Sequence, residues 1–143
     1  MTSTDRQAWE DALIADMRAH GGEVTTGVFA GRPLLAITMT GARTGMPRRV
    51  VLVYSRHGDD YVVAGSKGGA PTDPFWIGNL RANPDVTVEV HARQVPMRAT
   101  ITEGAERDRL WAAHVAEHPQ FGGYEQKTTR IIPIVRLTPV AGE

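Results

Sequence analysis

Most consecutive β-prone runs in this chain are joined by turns of a few residues, too short for the crossover that parallel pairing requires. Leu34-Leu35-Ala36-Ile37-Thr38-Met39-Thr40 reads as a buried strand running into Gly41, and Arg49-Val50-Val51-Leu52-Val53-Tyr54 as a second. Gly58-Asp59-Asp60 predicts a hairpin turn with Tyr61-Val62-Val63-Ala64 as its return strand. Val86–Val90 and Gln94–Ile101 alternate in polarity and predict another hairpin, and Ile131–Leu137 predicts a last strand. Pro133 lies inside that last run and argues for an edge strand or a bulge. The fold expected is α+β, mainly antiparallel β, with a barrel-like sheet and peripheral helices.

The helices have their own signals. Thr4-Asp5-Arg6-Gln7 has the form of a capping box; Trp9, Leu13, Ile14 and Met17 follow at helical spacing, and Gly21-Gly22 ends the segment. A short helix carrying Phe75, Trp76 and Leu80 on its apolar face stops at Asn83-Pro84-Asp85. Glu103–Glu117 predicts an amphipathic helix with Leu110, Trp111, His114 and Val115 inward, and Pro119 opens a further helical piece through Tyr124. One domain of 143 residues is expected: a helix over residues 1–22 packed on a core over residues 24–140.

Composition narrows the function. Sixteen basic residues balance sixteen acidic ones, against the basic excess of a nucleic-acid binder. With no cysteine there are neither disulfides nor thiolate metal sites, which fits a reducing, cytoplasmic setting. The start Met1-Thr2-Ser3-Thr4-Asp5 lacks the features of a signal peptide, and no apolar run approaches the roughly 18 residues of a membrane span. Asp5, Glu10, Asp11 and Asp16 on the first helix also disfavour an anionic bilayer. No stable membrane insertion is expected.

Three segments could carry chemistry. In Thr40-Gly41-Ala42-Arg43-Thr44-Gly45-Met46-Pro47-Arg48-Arg49, two glycines can turn backbone N–H groups towards one point, and arginines add planar donors suited to phosphate or carboxylate. Arg48 and Arg49 fall on opposite faces of a strand, so one of them joins Arg43 at an anion. An ordinary hairpin turn with solvated arginines is the competing reading. Ala64-Gly65-Ser66-Lys67-Gly68-Gly69-Ala70 ends a strand in small residues, where a flat ring could lie against the backbone. The third set is aromatic: Tyr54, Trp76, Phe121 and Tyr124, in which a phenol could donate a proton to an organic acceptor. The five histidines show no metal spacing beyond His114 and His118 four apart, so no metal site is expected.

With Pro74–Pro84 and Thr129-Arg130-Ile131-Ile132-Pro133-Ile134-Val135 added, these blocks resemble the deazaflavin-dependent nitroreductase family, flavin/deazaflavin oxidoreductases of split β-barrel (FMN-binding split-barrel-like) fold. The resemblance runs from about Leu34 to Val140 and implies coenzyme F-420, an 8-hydroxy-5-deazaflavin with a phosphorylated tail. It implies that Arg43 and Arg48, with Gly41, Thr44, Gly45 and Pro47, hold the tail. Ala64, Ser66, Lys67, Gly68 and Gly69 would lie beside the ring, with Trp76 walling the pocket. Ala42 stands where the family loop often has a basic residue. Of the positions near the family's substrate-side tyrosines, His118, Phe121 and Tyr124, only Tyr124 keeps a hydroxyl.

The function implied is hydride transfer from the reduced deazaflavin to an activated double bond (an enone or an unsaturated lactone such as a coumarin) or to a quinone, with Ser66 and Tyr124 as catalytic residues. An FMN-dependent oxidoreductase and a non-catalytic deazaflavin-binding protein are the alternatives. A small-molecule acceptor is the expected partner, and the chain is expected to be a monomer or homodimer.

Overall fold

The computed structural model describes residues 3–25, 27 and 30–140, the side chains of residues 3–6 and Gly68 excepted. The chain runs α1 (Ser3–Ala19), β1 (Leu34–Thr40), β2 (Pro47–Val53), β3 (Ser55–His57), β4 (Asp60–Ala64), a 3-10 turn (Lys67–Gly69), α2 (Phe75–Ala82), β5 (Asp85–Val90), β6 (Arg93–Ile101), α3 (Gly104–Glu117), α4 (Gln120–Glu125) and β7 (Ile134–Pro139). The strands form one seven-stranded sheet in the order β2-β1-β5-β6-β7-β4-β3, antiparallel at every pairing. Its two edge strands, β2 and β3, are separated in sequence by Tyr54 alone. The sheet therefore curls until its edges meet, but no ladder joins them among the described residues. This is the split barrel that the sequence implied.

Alternation along β1 shows how both faces are used. Leu35, Ile37 and Met39 point into the barrel with Val63, Val88, Met97, Val135 and Leu137, and α2 adds Trp76, Ile77 and Leu80. Leu34 and Ala36 point outwards and meet Leu13, Ile14 and Met17 of α1; Leu110, Trp111 and Phe121 of α3 and α4 belong to the same outer layer. Polar contacts add to the docking of α1: Arg18 makes a two-pronged bond to Glu89 on β5, both at 2.7 Å. No helix among the described residues is long and apolar enough to cross a membrane.

Several local expectations change. Thr4 lies within the first turn of α1, because the helix already includes Ser3; its side chain lies outside the described residues. The strand read at Arg49–Tyr54 is β2 with different bounds: it starts two residues earlier and ends at Val53, and at Tyr54 the chain crosses from one sheet edge to the other. The last strand is interior, between β6 and β4, rather than an edge. Pro133 precedes it and so removes no ladder donor, and its carbonyl accepts the Gly65 N–H at 2.9 Å. Trp9, read at the helical spacing of Leu13, Ile14 and Met17, and Phe75, read on an apolar helix face, are 40% and 48% exposed.

Candidate active site

The inward bend at the seam leaves a cavity of about 650 Å³ beside β2. Its floor is Val50–Val53 of β2, and Ala64, Ser66 and Lys67 at the end of β4 form one rim. Pro74, Phe75 and Trp76 at the start of α2 form another, and Gln120, Phe121 and Tyr124 of α4 close the far side. Gly65 keeps this junction tight: a Cβ there would lie 3.0 Å from Ile77 Cδ1, so a side chain would require Ile77 of α2 to shift. A second cleft, about 750 Å³, lies at the other end of β2 and is lined by Gln7, Glu10, Thr38, Pro47, Arg48, Arg49 and Phe75. Phe75 borders both spaces, and β2 runs from one into the other.

The arginines divide as strand alternation requires. Arg49 turns to α1, with Nη2 2.5 Å from Asp11 Oδ1 and Nε 3.9 Å from Glu10 Oε1. Arg48 lies on the opposite pleat, and neither it nor Arg43 has an ion pair among the described residues. The glycines of the 41–49 loop behave differently from the expected anion nest. Gly41 N–H donates to Met46 O at 2.8 Å and Gly45 N–H to Gly41 O at 2.9 Å. Ala42 N–H donates to Asn79 Oδ1 at 2.9 Å, and Met46 N–H to Thr44 Oγ1 at 3.2 Å. The loop closes on itself, so its available charge is carried by arginine side chains. Gly41, Arg43, Thr44 and Gly45 line neither space.

Ala64, Ser66, Lys67, Trp76 and Tyr124 are thus brought together at the cavity, while Pro47 and Arg48 lie in the adjoining cleft. Gly68 and Gly69 belong to the 3-10 turn behind the rim. Ser66 is buried, Tyr124 is half-exposed, and neither hydroxyl has a protein partner among the described residues. Tyr54 is elsewhere: it fills the seam, edge-on to Tyr61, with its hydroxyl 3.0 Å from His91 Nε2. Burial raises its pKa, consistent with a structural phenol.

Two histidines outside the sequence-assigned site hold α4 in place. His118 Nε2 donates to Tyr54 O at 2.8 Å, and His114 Nδ1 lies 2.8 Å from Ser55 Oγ. Both tie the α3–α4 junction to the seam. The ring stack then continues from His114 to Phe121 (4.5 Å between centroids) and to Tyr124 (5.3 Å), which reaches the cavity. Burial, with His118 adding a smaller effect, lowers the His114 pKa to about 4, so its imidazole is neutral at pH 7. The floor residues Val50–Val53 were read only as a strand, because apolar residues lining a cavity and a core carry the same sequence signal.

Comparison with known proteins gives this geometry a context. The family model described as F420H(2)-dependent quinone reductase matches residues 11–139. The chain is similar to an F420H(2)-dependent quinone reductase of Mycobacterium tuberculosis (strain ATCC 25618 / H37Rv), at 36% identity over 124 residues, covering 85% of this chain and 83% of that protein. Among solved structures it is similar to an F420-H2 dependent reductase, FDR-A, with TM-score 0.69 and 36% identity, covering 74% of this chain and 94% of that one. Another, described as a domain-swapped dimer, has TM-score 0.70 and 32% identity, covering 95% and 99% of the two chains.

Proposed function

The chain belongs to the F420H2-dependent quinone reductase family, oxidoreductases that use coenzyme F-420, and from that premise we propose that it reduces flat, neutral acceptors in the cavity beside β2. The acceptor class is quinones, enones and unsaturated lactones. One observation carries this reading: a mostly apolar, aromatic-walled cavity, bordered also by Arg32 and Lys67, joins, at Phe75, a cleft that holds an uncommitted arginine. A cofactor with a planar ring and an anionic tail matches those two spaces in order. The cavity volume lies within the usual range of small-molecule sites. Arg48, with Arg43 beyond it, would hold the tail; Ala64, Ser66 and Lys67 would edge the ring, and Trp76 would wall it.

When bound, the reduced deazaflavin supplies the hydride. The remaining work belongs to the chain. Val50–Val53 and Trp76 present flat apolar surfaces that restrict the ring to one orientation. Phe75, Phe121 and Tyr124 would flank a bound ring and reduce its contact with water, which strengthens polar contacts at its edge. A hydroxyl from Ser66 or Tyr124 donates a hydrogen bond to the oxygen on which negative charge develops as the acceptor is reduced. The mostly apolar lining favours a neutral acceptor, and its basic members, Arg32 and Lys67, disfavour a cationic one.

Following oxidation of reduced F-420 against a panel of quinones, enones and nitroaromatics tests the acceptor class. Turnover with quinones or enones well above that with nitroaromatics is expected. Ser66→Ala and Tyr124→Phe should each slow turnover; if both left it untouched, the hydroxyl assignment would be wrong. The assembly range is monomer to homodimer, and sedimentation velocity at micromolar concentration decides between them.

A further inference from the structure

We infer that Arg130, which borders neither space, is a positioning residue that sets the backbone of the Ser66–Lys67 rim for the ring. The inference rests on the proposed ring placement. The Arg130 guanidinium lies behind the rim and makes bonds along three of its edges. Nε donates to Ala70 O at 2.8 Å, Nη2 to Ser66 O at 2.8 Å, and Nη1 to Gly65 O at 3.2 Å. Nη1 also meets Asp73 Oδ1 at 2.8 Å, which holds the guanidinium in its plane. The side chain is 14% exposed. One planar fork thus holds three carbonyls that bracket a single tight turn.

The consequence follows from peptide geometry. No described peptide is cis, so each carbonyl points opposite to the N–H of the next residue. Drawing the Gly65 and Ser66 carbonyls towards Arg130 turns the N–H groups of Ser66 and Lys67 away from it. Ser66 and Lys67 line the cavity, whereas Arg130 does not. Among the described residues these two N–H groups have no protein acceptor. They form a donor pair at the cavity rim, suited to the carbonyl or ring-nitrogen edge of a planar heterocycle. The turn has two bonds of its own, Gly69 N–H to Ser66 O at 2.9 Å and Ala70 N–H to Lys67 O at 3.1 Å, but they close around Lys67 at φ +47°, a conformation that L side chains rarely adopt. Arg130 adds the carbonyl that precedes Lys67 and the one at Ala70 where the turn ends.

Lysine cannot replace this function, because a point charge does not span three carbonyls. Arg130→Lys and Arg130→Ala should each weaken F-420 binding, followed by deazaflavin fluorescence, at least tenfold. Millimolar guanidinium should restore the Arg130→Ala affinity, while methylammonium should not. In the cofactor-free protein, Arg130→Ala should accelerate hydrogen–deuterium exchange over residues 65–70 and leave the β5–β6 hairpin protected. Wild-type affinity in Arg130→Ala, affinity lost but not restored by guanidinium, or unchanged exchange over residues 65–70 would each overturn the inference. A separate control tests the placement beneath it: cofactor should slow exchange over residues 65–70 in the wild-type protein. Failure of that control with the apoprotein result intact would refute the ring placement, leaving Arg130 as a clamp on the turn alone.

Discussion

Gly69→Ala probes the contact that fixes the rim against α4. Gly69 has φ +85°, and a Cβ built there would lie 2.8 Å from Tyr124 O and 2.8 Å from Lys127 Cβ. Two costs add. Holding alanine in the left-handed region costs about 1–2 kcal/mol. Overpacking against a backbone oxygen that cannot rotate away costs about 1–3 kcal/mol more. Reduced freedom of the unfolded chain returns about 0.4–1 kcal/mol. The net expectation is a loss of about 2–4 kcal/mol. Gly58→Ala supplies the control, since Gly58 has φ +65° with nothing within 4 Å of a built Cβ. It should lose about 1 kcal/mol, from the backbone contribution alone. Urea denaturation of both variants gives the difference, which isolates the contact with α4. Because that contact joins the rim to Tyr124, Gly69→Ala should also weaken cofactor binding. If the two variants were equally stable and bound F-420 equally, the rim would not be packed on α4 as described.

Other residues give sharper separations. Arg48→Ala should weaken F-420 binding roughly 10- to 100-fold, as expected for a hydrogen-bonded charge pair, with a flatter salt dependence than wild type. Arg49→Ala should leave affinity within about threefold and cost about 1–3 kcal/mol of stability, because its partners are on α1 and one of them, Glu10, is buried; the reverse pattern would exchange their roles. Ala42→Lys should tighten tail binding by up to about tenfold at low salt, and no change would mean the tail does not pass that position. The depressed pKa of His114 predicts a pH effect: above about pH 6.5 the imidazole is neutral in both states, and below it only the unfolded chain gains the proton. Stability should therefore fall as the pH drops from about 6.5 towards 4, by about 2–3 kcal/mol at pH 4.5. Ser55→Ala/His114→Leu should lose that part of the slope in urea titrations, and an unchanged slope would show that His114 is not the group responsible.

The strands were legible because period-2 alternation and short turns are local signals, and β1, β5 and β6 fall close to where they were read. The crossing at Tyr54 was not, since no glycine or proline marks a turn between Val53 and Gly58. What turns the chain there is tertiary: Pro33 accepts its N–H, His118 donates to its carbonyl, and the hydroxyl reaches His91. The same limit applies at Phe75, whose helical position matches a core face but whose ring borders two open spaces. Arg130 stood in a recognisable segment without a role, because carbonyls at residues 65, 66 and 70 leave no mark on side-chain identity. Arg49, by contrast, was separable from Arg48 by strand parity alone.

These differences have a common origin in how the barrel is closed. A fully hydrogen-bonded barrel would need no outside support at β2, and its interior would be filled by side chains. Here the edge strands meet without a ladder, so the floor of the cavity is an edge strand whose neighbours on the open side are helices and loops. Each of those neighbours is held by a specific polar contact: α1 through Asp11 to Arg49, α4 through His118 and His114, and the rim through Arg130. Apolar packing alone would let such elements slide, because it has little directional preference. Directional bonds fix their angle, which is what orienting a planar ring requires. It follows that substitutions at the α4 and rim anchors should affect cofactor binding before they affect the β1–β5–β6 core, and hydrogen exchange measured across the chain would reveal that order.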